Sequence, residues 1–266
     1  MLGGSVSELS ERWRRAVPAL KEVRLRAAFV RSEMSRPELT EVAVALDDLA
    51  GRAEQADAAS REVLAAAMPA LADPGFGERV EELRMMAAAR SLLALGRLLR
   101  RKIHPLANGS SAPEPDARAV TVSNRGRALT LGERKALARR SSRAGIDKLL
   151  RDPHPAVIRM LLDNPRITED DVVRLAARRP AYPDVIAEIA KNAEWAQRSR
   201  VRMAIVQNPG SPVEIAVPLV RLLIRPELLQ VIAAADVAAI VRAAATEVLQ
   251  RRPPVPQRQR PKGPVQ

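Results

Sequence analysis

The sequence predicts an all-α protein, an N-terminal helical bundle followed by a short, solenoid-like α-helical repeat domain. Three observations carry that expectation. Ala, Leu, Val and Arg dominate a chain of 266 residues with only 2% aromatics, a composition that favours helix. No stretch sustains the two-residue alternation of a half-buried strand. The run from Asp152 to Pro180 reads helix, stop, helix, stop, and its Asn-Pro stop at Asn164-Pro165 recurs at Asn208-Pro209.

From the N-terminus, Ser5-x-x-Glu8 forms a capping box, and a first helix is expected to about Ser32, with Leu9, Trp13, Ala16, Leu20 and Val23 on one face and a kink near residue 17 from Pro18. Pro37 opens a second helix buried through Leu39, Val42, Leu46 and Leu49, with Gly51 as a weak point or end. A third holds Val63, Leu64, Ala67 and Leu71 and stops before Asp73-Pro74-Gly75. A fourth spans Gly77 to Lys102, with Leu83, Met86 and Leu93 among its apolar residues. Residues 1–102 thus make an antiparallel four-helix arrangement with short links.

Residues 103–129 change character. His104-Pro105, Asn108-Gly109-Ser110-Ser111 and Pro113-Glu114-Pro115-Asp116 are turn formers with few large apolar neighbours, so a flexible linker is expected that lets two modules be placed independently. Thr130 with Glu133 then starts the repeat region, 130–251. Within it Val157, Met160, Leu161 and Leu162 line one helix. Asn164-Pro165 ends it, because proline disfavours helix in the residue before it. Thr168 caps the next helix, with Asp171 three residues on, and Glu169, Asp170 and Asp171 complement the helix dipole. The second break is followed by Ser211 as N-cap, Pro212 at the first helical position and Glu214 closing a capping box. Residues 252–266, rich in proline and base, cannot bury a core and are expected to be disordered.

Short helices punctuated in this way cannot bury an apolar face alone, so they stack on their neighbours. The segments 163–183 and 207–219 resemble the leucine-rich repeat variant and HEAT-like helical repeats of bacterial proteins, in which Asn-Pro-x-(Thr/Ser/Pro) separates short helices. The resemblance covers residues 130–251. A leucine-rich repeat variant protein carries a cysteine-ligated iron-sulfur cluster beside its repeats, whereas this chain has no cysteine, so that function does not come with the resemblance. What it implies is a fold and a tendency to bind other macromolecules.

The formal net charge of +13 and pI near 11.2 suggest an acidic partner, but the distribution weakens that inference. Residues 1–102 carry +2, residues 130–250 carry +5, and residues 251–266 carry +5 with no acid. Within 150–250 the repeats are nearly neutral, whereas a phosphate-binding surface concentrates Lys and Arg beyond local compensation. Basic clusters flank the linker at Arg97, Arg100, Arg101 and Lys102 and at Arg134, Lys135, Arg139, Arg140 and Arg143. Of these, Arg139, Arg140 and Arg143 are the candidate polyanion contacts.

Arg174, Arg178, Arg198 and Arg202 are the candidate partner-binding residues, with intramolecular pairing as the plain alternative. Trp195 is a binding anchor or, more simply, a seal between two helices. Arg90, Arg97 and Arg101 form a basic stripe that suits either a membrane surface or an ordinary bundle helix. His104 and His154 stand in separate segments without a metal or triad spacing, and no phosphate loop or nucleophile elbow occurs. No metal and no cofactor are expected. The absence of cysteine fits a reducing cytoplasm; no apolar run is long enough to span a membrane, and the N-terminus lacks a signal-peptide pattern. The leading expectation is a cytoplasmic, non-enzymatic interaction or scaffold protein with a protein partner. Its rivals are a helical-repeat protein that binds nucleic acid weakly and salt-dependently, and a repeat-type enzyme acting on nucleic acid for which no catalytic residue can be assigned.

Overall fold

Side-chain caps set the start of α-helices at Ala58, Leu131, Pro155, Glu169 and Ala193. The computed structural model describes residues 8–101, 127–140 and 142–254, which are all-helical. The Ser5 side of the first capping box, the linker between residues 102 and 126 and the tail beyond Pro254 lie outside the described residues.

The first expected helix is two, α1 (Glu8–Ala19) and α2 (Val23–Met34). Pro18 lies inside α1, and the break comes at residues 20–22 instead of near residue 17. Proline's fixed φ is itself helical, so the chain runs on past it. Arg26 Nε then takes the freed Leu20 carbonyl. The second and third are α3 (Leu39–Glu54) and α4 (Ala58–Leu71). Gly51 does not stop α3. The helix ends in a Schellman turn in which Asp57 N donates to Arg52 O at 3.0 Å, with Ala56 at φ 75°. Asp57 then accepts from Ser60 N at 2.8 Å and starts α4.

The fourth expected helix is also two, α5 (Gly77–Ala89) after a 3-10 turn at Pro74–Phe76, and α6 (Leu93–Leu98). The interruption is a second Schellman turn. Leu92 N donates to Ala87 O at 2.8 Å while Ser91 takes φ 54°. Serine occupies the left-handed position that glycine normally marks, so the sequence carries no stop signal there. One consequence is that Leu93, an apolar residue of the expected fourth helix, is 70% exposed at the start of α6. Another is that the Arg90–Arg97–Arg101 stripe does not lie along one helix.

The second half comprises α7 (Leu131–Arg140), α8 (Arg143–Leu149), α9 (Pro155–Leu162), α10 (Glu169–Ala176), α11 (Pro183–Lys191), α12 (Ala193–Ala196), α13 (Ser199–Gln207), α14 (Val213–Val220), α15 (Arg225–Ala233) and α16 (Ala239–Arg251). The α7 box is present, with Thr130 N donating to Glu133 at 2.9 Å and Glu133 N to Thr130 Oγ1 at 3.3 Å. So is the α10 box. Thr168 N donates to Asp171 Oδ2 at 3.0 Å, and Asp171 N donates to Thr168 Oγ1 at 3.3 Å. Replacing Thr168 by Ala removes this cap and is expected to lower stability by about 1 kcal/mol in urea denaturation.

Both Asn-Pro breaks use asparagine as a stitch. Asn164 Nδ2 donates to Ala138 O at 2.7 Å near the end of α7, and its Oδ1 accepts from Arg166 N at 2.9 Å. Asn208 Nδ2 donates to Ala176 O and Arg178 O at 2.8 and 2.9 Å at the end of α10, and its Oδ1 accepts from Gly210 N at 3.0 Å. Each side chain therefore closes its own turn and satisfies carbonyls left open at the end of an earlier helix. Gly210 is required by close approach, since a Cβ there would lie 2.7 Å from Ala181 Cβ. Ser211 departs from the expected N-cap role. Its hydroxyl donates back to Ile205 O at 2.6 Å, and Pro212 precedes α14 instead of opening it.

In the second half α7, α9 and α11 pack in series, and α10, α13 and α15 form a second row. The two halves meet on α4. Its residues from Val63 to Met68 are buried without interruption, the mark of a helix covered all round. It packs on α1, α2 and α3 on one side and on α11, α12 and α14 on the other, and one hydrophobic core runs through both halves. Independent placement of two modules is therefore not the arrangement found. Trp195 belongs to this core, with Nε1 donating to Leu162 O at 2.9 Å. Residue 252, expected as the start of a disordered tail, is also inside the fold. Arg252 is 7% exposed and donates to Arg221 O and Leu223 O at 3.3 and 2.9 Å.

Candidate partner-binding groove

The three helices of the second row, α10, α13 and α15, leave a groove between them. Val173 and Ala177 come from α10 and the residue after it, Met203 and Gln207 from α13, and Glu227 and Gln230 from α15, around a volume of about 470 Å³. On α13 the wall is Arg200, Met203, Ala204 and Gln207, spaced i, i+3, i+4 and i+7, so it is one helical face. Val201 and Ile205 point the other way into the core. The rim is charged but balanced. Arg200 pairs with Asp170 at 2.6 Å, and Arg179 pairs with Asp236 at 2.6 Å. Leu229 is half exposed on α15, the helix that supplies Glu227 and Gln230.

The four arginines chosen from sequence do not wall this groove. Arg174 pairs with Asp171 and reaches Asp147 at 4.0 Å. Arg178 donates to Arg151 O at 2.6 Å and lies over the Tyr182 ring at 5.2 Å. Arg198 faces Glu169 at 4.0 Å and Glu194 at 3.9 Å. Arg202 is partly buried and donates to Gln197 O, and burial pushes its guanidinium below the ordinary arginine value. Arg198 and Arg202 form one face of α13 and its cap, a different face from the groove. The period-3.6 pattern of buried Val201 and Ile205 would have pointed to Arg200, Met203 and Gln207 instead.

The basic residues near the linker differ among themselves. Arg139 and Arg140 are exposed, and Arg139 Nε lies 3.3 Å from Met160 Sδ. Arg143 is engaged inside the chain, bridging Asp171 and, at 3.0 Å, Asp147. The acidic run at the start of α10 diverges: Asp171 is fully buried in the capping box, while Asp170 and Glu169 face Arg200 and Arg198. His154 is the N-cap of α9, its Nδ1 accepting from Ala156 N at 3.1 Å. Among the described residues no group of three or more His, Cys, Asp and Glu side chains is arranged to hold a metal ion, and no helix is long and apolar enough to cross a membrane.

A smaller cleft of about 380 Å³ lies between the two halves, lined in part by Arg31, Asp73, Arg159, Glu188 and Lys191. Its charges satisfy one another. Arg31 pairs with Asp73 at 2.8 Å, and Glu188 takes both Arg159 at 2.8 Å and Lys191 at 2.5 Å. Although burial opposes it, these cations hold the Glu188 carboxyl below its ordinary value. The chain matches no family model, no curated protein and no solved structure. The groove across α10, α13 and α15 is therefore read from its own chemistry, as a mixed apolar and polar channel with a charge-balanced rim.

Proposed function

We propose that the protein is a non-enzymatic interaction module that takes a protein segment in the groove across α10, α13 and α15, in the cytoplasm that its cysteine-free composition fits. The observation that carries this reading is the pairing of the rim arginines. Arg179 and Arg200 each hold a carboxylate of the same chain, so the rim offers no excess of positive charge to a phosphate backbone. The floor supplies what protein interfaces use, flexible methionine at Met203 and amide groups at Gln207 and Gln230.

Met203→Glu places a charge in the groove, at a half-buried side chain that packs against the edge of the core. Capture of a defined binding segment, selected from a peptide library on the immobilised protein, is expected to weaken at least about tenfold in this variant, at a temperature where its circular dichroism is still that of the folded wild type. Undiminished capture by the variant would remove the groove from consideration. Capture abolished by nuclease treatment would favour the nucleic-acid reading, with Arg139 and Arg140 as its first residues to replace.

A further inference from the structure

Four arginines gather where α4, α13, α15 and the end of α16 meet, and the described residues do not balance their charge. Arg252 donates to the carbonyls of Arg221 and Leu223, and Arg61 donates to the carbonyl of Leu222 between them. Two guanidinium groups thus share three consecutive carbonyls at the end of α14. Arg225 donates to Arg252 O at 3.4 Å and to Pro253 O at 2.8 Å, which ties it to the same turn. Arg202, on α13, lies within electrostatic reach of both Arg61 and Glu227.

Among the described residues none of the four forms an ion pair within 4 Å, and every hydrogen bond named above goes to a backbone carbonyl. The Nε atoms of Arg61, Arg202 and Arg252 are buried without a partner. Glu227 is the carboxylate nearest in effect to Arg61 and Arg202, and it already accepts from Ile224 N at 2.8 Å. Glu54 acts on Arg252 from further off but is held by Arg97, Arg221 and Arg251.

Capping accounts for the carbonyl contacts, because cations favour a helix C-terminus. It does not account for the charge, since a helix end supplies only about half a negative charge. Glu227 adds one more against four guanidinium groups. Burial pushes the Arg61 and Arg202 guanidinium groups below the ordinary value and Arg252 down to about 10. Buried charge of this kind is ordinarily paired or bound to a counter-ion.

We propose that Arg61, Arg202, Arg225 and Arg252 form a binding site for a small phosphate-bearing anion. Guanidinium forks match phosphoryl oxygens in bidentate geometry, and the Nε–H groups of Arg61, Arg202 and Arg252 are donors without a partner among the described residues. Arg61, Arg202 and Arg225 are each partly exposed, whereas Arg252 is buried. The site does not rest on the groove function proposed above, although Glu227 lines the groove and also acts on Arg61 and Arg202.

The test is calorimetric titration of the full chain with inorganic phosphate, pyrophosphate and a nucleoside triphosphate, each against chloride at equal ionic strength. Saturable binding of at least one of them is expected, and which one binds distinguishes a free phosphate from a polyphosphate or nucleotide source. Arg61→Gln and Arg202→Gln should each weaken it by about tenfold or more, while Arg200→Gln, outside the cluster, should not. Without added anion the two cluster variants should melt no lower than wild type, because each removes uncompensated buried charge. The proposal is overturned if no phosphate species binds beyond chloride, if both cluster variants bind as wild type does, or if only an oligonucleotide binds. It is equally overturned if both variants melt lower without anion and the wild type shows no anion response, which would make the arginines caps alone.

Discussion

Glu54→Ala is expected to destabilise the protein by about 3–5 kcal/mol, the usual cost of removing one partner from a buried ion pair. The carboxylate is 1% exposed and receives Arg97 in a bidentate pair at 3.0 and 2.6 Å. Arg221 approaches it at 3.4 Å and Arg251 at 3.5 Å. Arg221 is itself fully buried, and desolvation pushes its guanidinium down to about 10. Its charge is therefore costly at neutral pH, and Glu54 is the carboxylate that offsets it. Because α3 supplies Glu54 while α6, α14 and α16 supply or flank the arginines, the loss should be felt between the halves of the chain. Urea denaturation followed by circular dichroism measures it, and Glu54→Gln, which keeps hydrogen-bond capacity but not charge, should fall between the two. A loss below about 1 kcal/mol for Glu54→Ala would show that water or rearranged carbonyls replace the carboxylate, contrary to the cost of an unpaired buried cation.

The all-α class was legible because composition, periodicity and capping agree along most of the chain. Thr130 with Glu133 and Thr168 with Asp171 form the boxes their spacing announces. Val42, Leu46, Leu49, Val63 and Leu64 are buried as their helical spacing requires. The errors have local causes. Ser91 adopts the left-handed conformation without being glycine, so α5 and α6 read as one helix. Ser211 turns backward to Ile205, because a hydroxyl can satisfy a helix end as readily as a helix start. The role of α4 was harder to see. An alanine-rich run without charge from Val63 to Ala72 suits a helix buried on every side, but nothing in the local pattern states which elements bury it.

The site was less legible than the fold for a reason visible on α13. Arginine identity drew attention to Arg198 and Arg202, whereas the groove wall is the face opposite buried Val201 and Ile205 and includes the less conspicuous Met203 and Gln207. The arginine cluster around Arg61 and Arg252 joins residues 191 positions apart, through contacts between halves that sequence spacing does not encode. Charge counting gave the sign of each segment but not the pairing, and pairing separates Arg143, which is engaged, from Arg140, which is exposed.

Asp171→Asn should remove a defined part of the acid sensitivity of folding. Asp171 is fully buried, closes the α10 capping box and also receives Arg143 and Arg174. Arg143 is the largest cause holding its carboxyl well below the ordinary aspartate value, with Thr168 adding hydrogen bonds. The folded state therefore keeps the group ionised where the unfolded chain has begun to protonate it. Its contribution is complete above about pH 4, the ordinary aspartate range, and is lost as pH falls through the lower folded value. Asparagine preserves an acceptor for the Asp171-to-Thr168 side of the cap but carries no charge, so the variant should lose about 2 kcal/mol at neutral pH, the scale of hydrogen bonds to charged groups, and show a flatter stability profile below pH 4. Arg143→Ala should shift the profile in the same direction by less, because Arg174 and Thr168 remain. A loss of nucleic-acid binding in Arg143→Ala would consequently report a weakened α10 start as well as a missing surface charge, so Arg139→Ala and Arg140→Ala are the cleaner probes of polyanion contact. Stability profiles for Asp171→Asn and wild type that stay parallel from pH 7 to pH 2 would show that Asp171 titrates alike in the folded and unfolded chains, and would refute its assigned ionised state.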